Sequence, residues 1–277
     1  MKTVALPSGE TVPTLGMRTW QMAGDRGRRA EEIAALRLGL DRGLTLIDTA
    51  EMYGEGAAEE LIAEAIAGRR DEVFLVSKVY PHNASRQGTI AACERSLKRL
   101  RTDRLDLYLL HWPGSVPIAD TVAAFAELQQ AGKIRRYGVS NFDAADMAEL
   151  WSVPGGAATA TNQVLYNLSR RGIEWDLLPW CRERRVPIMA YSPIEQGRLA
   201  GNARLAAFAK RHGLTAAQAA LGWLLAKDDV IVIPKTGRRE RLQENLGALE
   251  RPLTKPQLDE LDSLFPPPSG AGPLEMI

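Results

Sequence analysis

Leu44-Thr45-Leu46-Ile47-Asp48-Thr49-Ala50-Glu51-Met52-Tyr53-Gly54 opens with a short apolar run that ends in a carboxylate. The segment Ala57–Ala67 follows, with apolar residues every three or four positions, and then the run Val73-Phe74-Leu75-Val76-Ser77-Lys78. A short β-branched run, a stretch of helical period and a second short run form a strand–helix–strand unit. The unit recurs on both sides. Strands are expected at Leu15–Trp20, Leu44–Asp48, Val73–Lys78, Leu105–His111, Tyr137–Asn141, Ala160–Val164, Val186–Ser192 and Val230–Lys235. Amphipathic helices are expected at Arg29–Leu40, Ala57–Ala67, Thr89–Leu100 and Ala119–Ala131, with Asp143 and Thr215 as helix N-caps.

Strands alternating with helices imply right-handed crossovers and a parallel sheet. Eight units in a chain of 277 residues match the size of a (β/α)8 TIM barrel. An open doubly wound sheet would place a glycine-rich fingerprint directly after an early strand. The nearest candidate, Gly54-Glu55-Gly56-Ala57-Ala58-Glu59, does not directly follow a strand and reads as a turn that opens a helix. Thr3–Leu6 and Thr11–Thr14 flank Ser8-Gly9 as an N-terminal hairpin (1–14) that would close the barrel bottom. Two helices near the C-terminus complete the barrel. The tail 266–277, beginning Pro266-Pro267-Pro268, should run over the surface. One barrel domain over 1–277 is expected.

Composition narrows the function classes. Hydrophobic residues make up 45% and charged residues 25%, so the chain can bury a core and is not disordered. Lys+Arg is 35 against Asp+Glu 34, so no overall field draws the protein to nucleic acid or an anionic membrane. No apolar run approaches the length of a membrane span, and Met1–Glu10 lacks the apolar run of a signal peptide. The two cysteines, Cys93 and Cys181, suit a reducing compartment, and Cys93 reads as a buried filler. A cytoplasmic protein, monomeric and acting on a small molecule, is the expectation. His212 reads as a helix end, while His82 lies where it could edge a substrate mouth.

The apolar runs end in polar groups repeatedly: Asp48, Lys78, His111, Ser140 and Asn141, Gln163, Tyr191 and Ser192, Lys235 and Thr236. Polar residues favour strand stops in any protein. In a parallel barrel, however, all of these ends meet at the face that carries active sites. A phenol is a poor acid at neutral pH, and a neighbouring ammonium favours its ionised form. With Lys78 beside Tyr53, Asp48 orienting the ammonium and His111 aligning a carbonyl oxygen, the set could protonate an alkoxide as it forms. That suits carbonyl reduction by a hydride donor.

These residues resemble the catalytic tetrad of the aldo-keto reductases. The resemblance rests on Leu46-Ile47-Asp48-Thr49-Ala50-Glu51-Met52-Tyr53-Gly54, Ser77-Lys78 and Leu109-Leu110-His111-Trp112-Pro113. It continues through Gly138-Val139-Ser140-Asn141-Phe142, Asn162-Gln163, Ala190-Tyr191-Ser192-Pro193 and Ile233-Pro234-Lys235-Thr236, in order along the whole chain. Small bacterial members that reduce methylglyoxal and related aldehydes are the most similar.

The resemblance implies Tyr53 as general acid, Lys78 and Asp48 as its partners and His111 as the carbonyl-orienting group. It implies NADPH as cofactor, preferred over NADH, with Ser140, Asn141 and Gln163 on the carboxamide and Tyr191 stacked on the nicotinamide. Thr19 and Trp20 fall in the first cofactor loop, and Ser192, Ile194, Gln196 and Gly197 line the pyrophosphate. Lys235, Thr236, Gly237 and Arg241 would meet the 2′-phosphate, which wants cations and helix N-terminal amides. A solvated basic helix start is the competing reading of those charges. Glu244 and Asn245 would contact adenine, and Trp20, Tyr80 and Trp112 would wall the substrate pocket.

One departure stands out. In Leu15-Gly16-Met17-Arg18-Thr19-Trp20, Arg18 takes a position where most relatives carry glycine; it could pair with a cofactor phosphate or point into solvent. The short loop after His111 and the short tail predict an open pocket for small or varied carbonyls. A cofactor-binding regulatory subunit, and a Schiff-base lyase using Lys78 or Lys235, are the alternative functions.

Overall fold

The computed structural model describes residues 2–277. Strands β1 (Thr3–Ala5) and β2 (Thr11–Pro13) pair antiparallel. Eight further strands follow: β3 (Met17–Arg18), β4 (Leu46–Asp48), β5 (Phe74–Val79), β6 (Leu105–Leu110), β7 (Ile134–Ser140), β8 (Asn162–Leu165), β9 (Ile188–Tyr191) and β10 (Val230–Ile233). They pair in sequence order, all parallel. Closure comes from parallel bridges Leu15–Val232 and Arg18–Lys235, with Gly16 N–H donating to the Val232 carbonyl at 2.9 Å. The TIM barrel expected from the alternation is the fold.

Helices occupy the crossovers: α1 (Arg29–Asp41), α2 (Ala57–Ala65), α3 (Arg86–Leu100), α4 (Ile118–Gln130), α5 (Ala144–Ser152), α6 (Leu177–Glu183), α7 (Ala203–Arg211), α8 (Ala216–Leu225), α9 (Arg239–Glu250) and α10 (Lys255–Leu264). Asp143 caps α5 and Thr215 caps α8, each in a capping box that satisfies otherwise orphaned N–H groups. Gly54 and Gly56 sit in the 3-10 turn Tyr53–Gly56 that opens α2, both at positive φ. Several strands are shorter than their apolar runs. Tyr191 ends β9 and Ile233 ends β10, and the polar residues beyond them turn into loops.

Two hydrophobic layers follow the two-residue period of the strands. Leu46, Val76, Leu107, Leu109, Met189, Ile231 and Ile233 fill the barrel interior, together with Val4, Leu6 and Val12 of the hairpin. The hairpin therefore plugs one end of the barrel. Ile47, Leu75, Tyr108, Leu110, Val164, Ala190 and Val232 face outward into the helix layer. Cys93 and Cys181 are buried there, and burial pushes each thiol up to about 12. His212 ends α7 beside Glu260 at 3.1 Å.

The tail runs over the surface as expected, without helix or strand, and it is held in place. Leu274 and Glu275 line a cleft beside α5, and Glu275 is held by Arg170. Upstream, Arg171 donates to the Phe265 carbonyl and pairs with Asp262 at 2.8 Å. So anchored, the exposed tail passes along the face of the barrel and brings Met276 and Ile277 to the cavity beside Tyr53.

Candidate active site

Strand parity decides which side chains enter the site. Leu46 faces the interior, so Asp48 does too; the same rule places Lys78 after Val76, His111 after Leu109 and Tyr191 after Met189. Ser140 follows an outward Val139, and Gln163 precedes an outward Val164. Arg18 follows the outward Met17 and precedes the loop, so it also points in. The register places Arg18 beside Asp48 on β4 and beside Lys235 beyond β10.

Lys78 is fully buried, and its three donors are committed: to Asp48 Oδ1 at 2.7 Å, the Thr49 carbonyl at 2.7 Å and the Tyr53 hydroxyl at 3.4 Å. An ammonium held this way is no free nucleophile for a Schiff base. Asp48 Oδ1 also accepts from Gln163 Nε2 at 2.8 Å. The Tyr53 ring meets the His111 ring edge-on at 5.8 Å. Burial first, then the Lys78 and Arg18 charges, hold the His111 imidazole well below its usual pKa. Near neutral pH it is uncharged and can donate from one nitrogen.

Arg18 does not point into solvent: its strand position aims it into the barrel, where it lines both the cavity beside Tyr53 and the groove that runs to Lys235. Its Nε and Nη2 donate to the Tyr53 hydroxyl at 3.1 and 2.8 Å, and its guanidinium lies 4.6 Å from the centroid of the Tyr191 ring. Burial works against this charge; Tyr53 and Asp48 more than offset it, and the pKa is raised.

Two cavities meet at Arg18 and Trp20. One, of about 320 Å³, is lined by Tyr53, His111, Trp112, Ser140, Asn141 and Tyr191, with Met52, Met276 and Ile277 closing its sides. The pocket is thus bounded by the tail, which the short C-terminal segment did not suggest. Tyr80 stands one layer back, its ring 5.5 Å from Trp112 and edge-on, with the exposed His82 packed on it. The other cavity, of about 240 Å³, runs along Gln21, Ser192, Ile194, Gln196 and Gly197 to Lys235 and Arg241.

The expected cofactor residues divide accordingly. Tyr191 donates to Asn141 Oδ1 at 2.9 Å, and Asn141 Nδ2 donates to the His111 carbonyl at 3.1 Å. Ser140 Oγ donates to the Gln163 carbonyl, and Gln163 Oε1 is buried with no hydrogen-bond partner. A buried, unpaired acceptor beside Ser140 and Asn141 fits an amide N–H₂ from a ligand. Asn141 and Ser192 sit at φ 58 and 50, strained backbone where the groove is formed. Thr19 is buried and donates to the Asp48 carbonyl at 3.1 Å. Thr236 is engaged with Arg238, and Gly237 is so close to Glu32 that a Cβ would lie 2.8 Å from its Cγ. Burial lowers the Lys235 pKa; Glu32 opposes this, and Arg28 and Arg241 add to it. Such a cluster of cations favours an anion. Glu244 and Asn245 lie on α9 outside the groove lining, with Asn245 buried.

Residues 14–265 match the model of the aldo/keto reductase family. The chain belongs to the aldo/keto reductase family. It is 50% identical to the methylglyoxal reductase YeaE of Escherichia coli, covering 100% of this chain and 99% of that protein. The glyoxal reductase of Bacillus subtilis is 34% identical over 95% of this chain and 92% of its own length. A crystal structure of an aldo/keto reductase from Klebsiella pneumoniae, in complex with NADP and acetate, superposes with a TM-score of 0.96 at 47% identity, covering 100% of this chain and 99% of the other. This reductase thus has the strand-end arrangement read from its sequence. What that reading did not foresee was the contact of Arg18 with Tyr53, whose inward direction strand parity signals, and Met52, Met276 and Ile277, which no local pattern signals. Among the described residues no cluster could hold a metal ion, and no helix is long and apolar enough to cross a membrane.

Proposed function

We propose that the chain is an NADPH-dependent reductase of small aldehydes and ketones, methylglyoxal and related carbonyls among them. The observation that carries this reading is the chain Asp48–Lys78–Tyr53, with a carboxylate 2.7 Å from a buried ammonium and that ammonium 3.4 Å from a phenol facing a cavity with His111. The carbonyl oxygen sits between the Tyr53 hydroxyl and the neutral His111 ring. Tyr53 gives its proton to that oxygen as negative charge develops there, and Lys78, fixed by Asp48, stabilises the phenolate left behind. NADPH supplies the hydride to the carbonyl carbon when bound.

Ser140, Asn141 and the unpaired Gln163 Oε1 hold the carboxamide, and Tyr191 presents its ring to the nicotinamide. Thr19, Trp20, Ser192, Ile194, Gln196 and Gly197 shape the groove between. Lys235 and Arg241 take the 2′-phosphate, with Thr236 and Gly237 shaping the junction and Glu244 and Asn245 on the helix beside it. Trp20 and Trp112 wall the substrate cavity, with Tyr80 backing Trp112. Steady consumption of NADPH in the presence of methylglyoxal tests the reading; a protein that binds NADPH yet consumes none with any small carbonyl would contradict it and favour a regulatory subunit.

A further inference from the structure

Arg18 lines both cavities and touches the proposed acid, so its charge bears directly on what the site accepts. The groups in mutual contact are Arg18, Lys78, Asp48 and Tyr53, all buried. Asp48 is committed to Lys78 at 2.7 Å, and Arg18 Nε reaches Asp48 Oδ2 only at 3.7 Å. The nearby buried acids are taken elsewhere: Glu51 meets Tyr80 N–H, Asn83 and Arg95, and Glu59 meets Ser77 and Arg99. Two cations therefore share one carboxylate. Arg18 uses Nε and Nη2 on the phenol oxygen, and its Nη1 makes no hydrogen bond to the described residues. The guanidinium is nine-tenths buried, shares Asp48 with Lys78, and keeps Nη1 as a free donor edge that a further anion could meet.

Resting on the reductase reading, we infer that Arg18 recognises a carboxylate on the carbon next to the reacting carbonyl, so that short 2-oxo acids of the glyoxylate type are preferred substrates. The carbonyl oxygen must lie at the Tyr53 hydroxyl, and Arg18 Nη2 is 2.8 Å from that same oxygen. In a 2-oxo acid a carboxylate oxygen lies alongside the carbonyl oxygen, so one group meets Tyr53 and His111 while the other meets the guanidinium edge. The acetyl group of methylglyoxal presents only a neutral acceptor there. The cavity of about 320 Å³ is lined by Ser140, Asn141 and Tyr191 as well as by Trp20, Trp112 and Met276, so with a nicotinamide in place the space left beside His111 suits a molecule of a few heavy atoms. A nicotinamide on the Tyr191 ring requires the guanidinium to leave that face, and the bonds from Nε and Nη2 to the Tyr53 hydroxyl are the contacts that would keep Arg18 in the site. The reaction balances as a two-electron reduction: the hydride forms the new C–H bond, the carbonyl π bond becomes O–H with the Tyr53 proton, glyoxylate becomes glycolate and NADPH becomes NADP⁺. The carboxylate is unchanged.

The test uses the full chain, R18G and R18K. Calorimetric titration of the NADP⁺-saturated protein with oxamate, and with its neutral counterpart oxamide, reads recognition without turnover. Wild type should bind oxamate and discriminate against oxamide, R18G should lose oxamate affinity by at least about 10-fold, the weight of one charge-assisted hydrogen bond, and R18K should lie between them. The ratio of kcat/KM for glyoxylate to that for methylglyoxal should fall by a similar factor in R18G. Equal binding of oxamate and oxamide, or an unmoved oxamate affinity and substrate ratio in R18G, overturns the inference while methylglyoxal reduction still upholds the reductase reading. If wild type reduces neither carbonyl, the reductase reading fails, and the oxamate titration still decides the role of Arg18.

Discussion

Gln163 Nε2 donates to Asp48 Oδ1 at 2.8 Å, tying the amide on β8 to the carboxylate that fixes Lys78. One bond thereby links the residue expected to hold the nicotinamide carboxamide to the proton-transfer group, and orients the amide so that Oε1 stays unpaired. Gln163→Ala should weaken NADPH by roughly 5- to 10-fold, the worth of about one neutral hydrogen bond. Fluorescence titration with NADPH measures it, and an unchanged affinity would remove Gln163 from the cofactor site.

The Lys78–Asp48 pair is fully buried. Lys78→Met leaves Asp48 without its main partner and should cost about 3–5 kcal/mol of unfolding free energy. Urea denaturation measures this. A loss below about 1 kcal/mol, the range of exposed pairs, would show that the pair is not buried as described.

Lys235 and Arg241 lie together at one end of the groove. Lys235→Ala or Arg241→Ala should weaken NADPH by about 10-fold or more and leave NADH nearly unaffected. Equal losses for both dinucleotides would remove the 2′-phosphate from this junction.

His111 supplies a pH dependence. In the unfolded chain an imidazole takes up a proton as pH falls through about 6.5, whereas the folded site holds it well below that. Below that pH the unfolded state binds more protons, so stability falls with pH by up to about 1.4 kcal/mol per unit. Between about pH 7 and pH 5, His111→Asn should flatten the fall in the urea midpoint relative to wild type. An identical slope in both proteins would contradict the neutral, buried imidazole.

The barrel was legible because its signals are local: Leu105–Leu110 alternates between Leu107 and Leu109 facing in and Tyr108 and Leu110 facing out, and Asp143 and Thr215 mark helix starts by their own hydrogen bonds. The strand-end polar residues were legible for the same reason, since parity carries Asp48, Lys78 and His111 inward together. Arg18 follows that rule as well; its side chain type, common in solvent and on phosphates, obscured what its position dictated. Where the tail is anchored was not legible. Its path depends on Arg170 and Arg171, far away in sequence, which hold Glu275 and the Phe265 carbonyl, and it brings Met276 and Ile277 to a pocket expected to be open. Glu244 and Asn245 lie on α9, where the Glu244 carbonyl accepts from Gln218 of α8 and Asn245 is buried, contacts that no local sequence pattern signals.

The central claim is that Tyr53 delivers the proton to the carbonyl oxygen. Tyr53→Phe keeps the ring and removes only the hydroxyl that Lys78 and Arg18 address. Steady-state NADPH oxidation with methylglyoxal, run beside an NADPH titration of the same variant, measures it most directly. The account predicts a kcat lowered by at least about 100-fold with NADPH affinity within about 3-fold of wild type; turnover equal to wild type would contradict it.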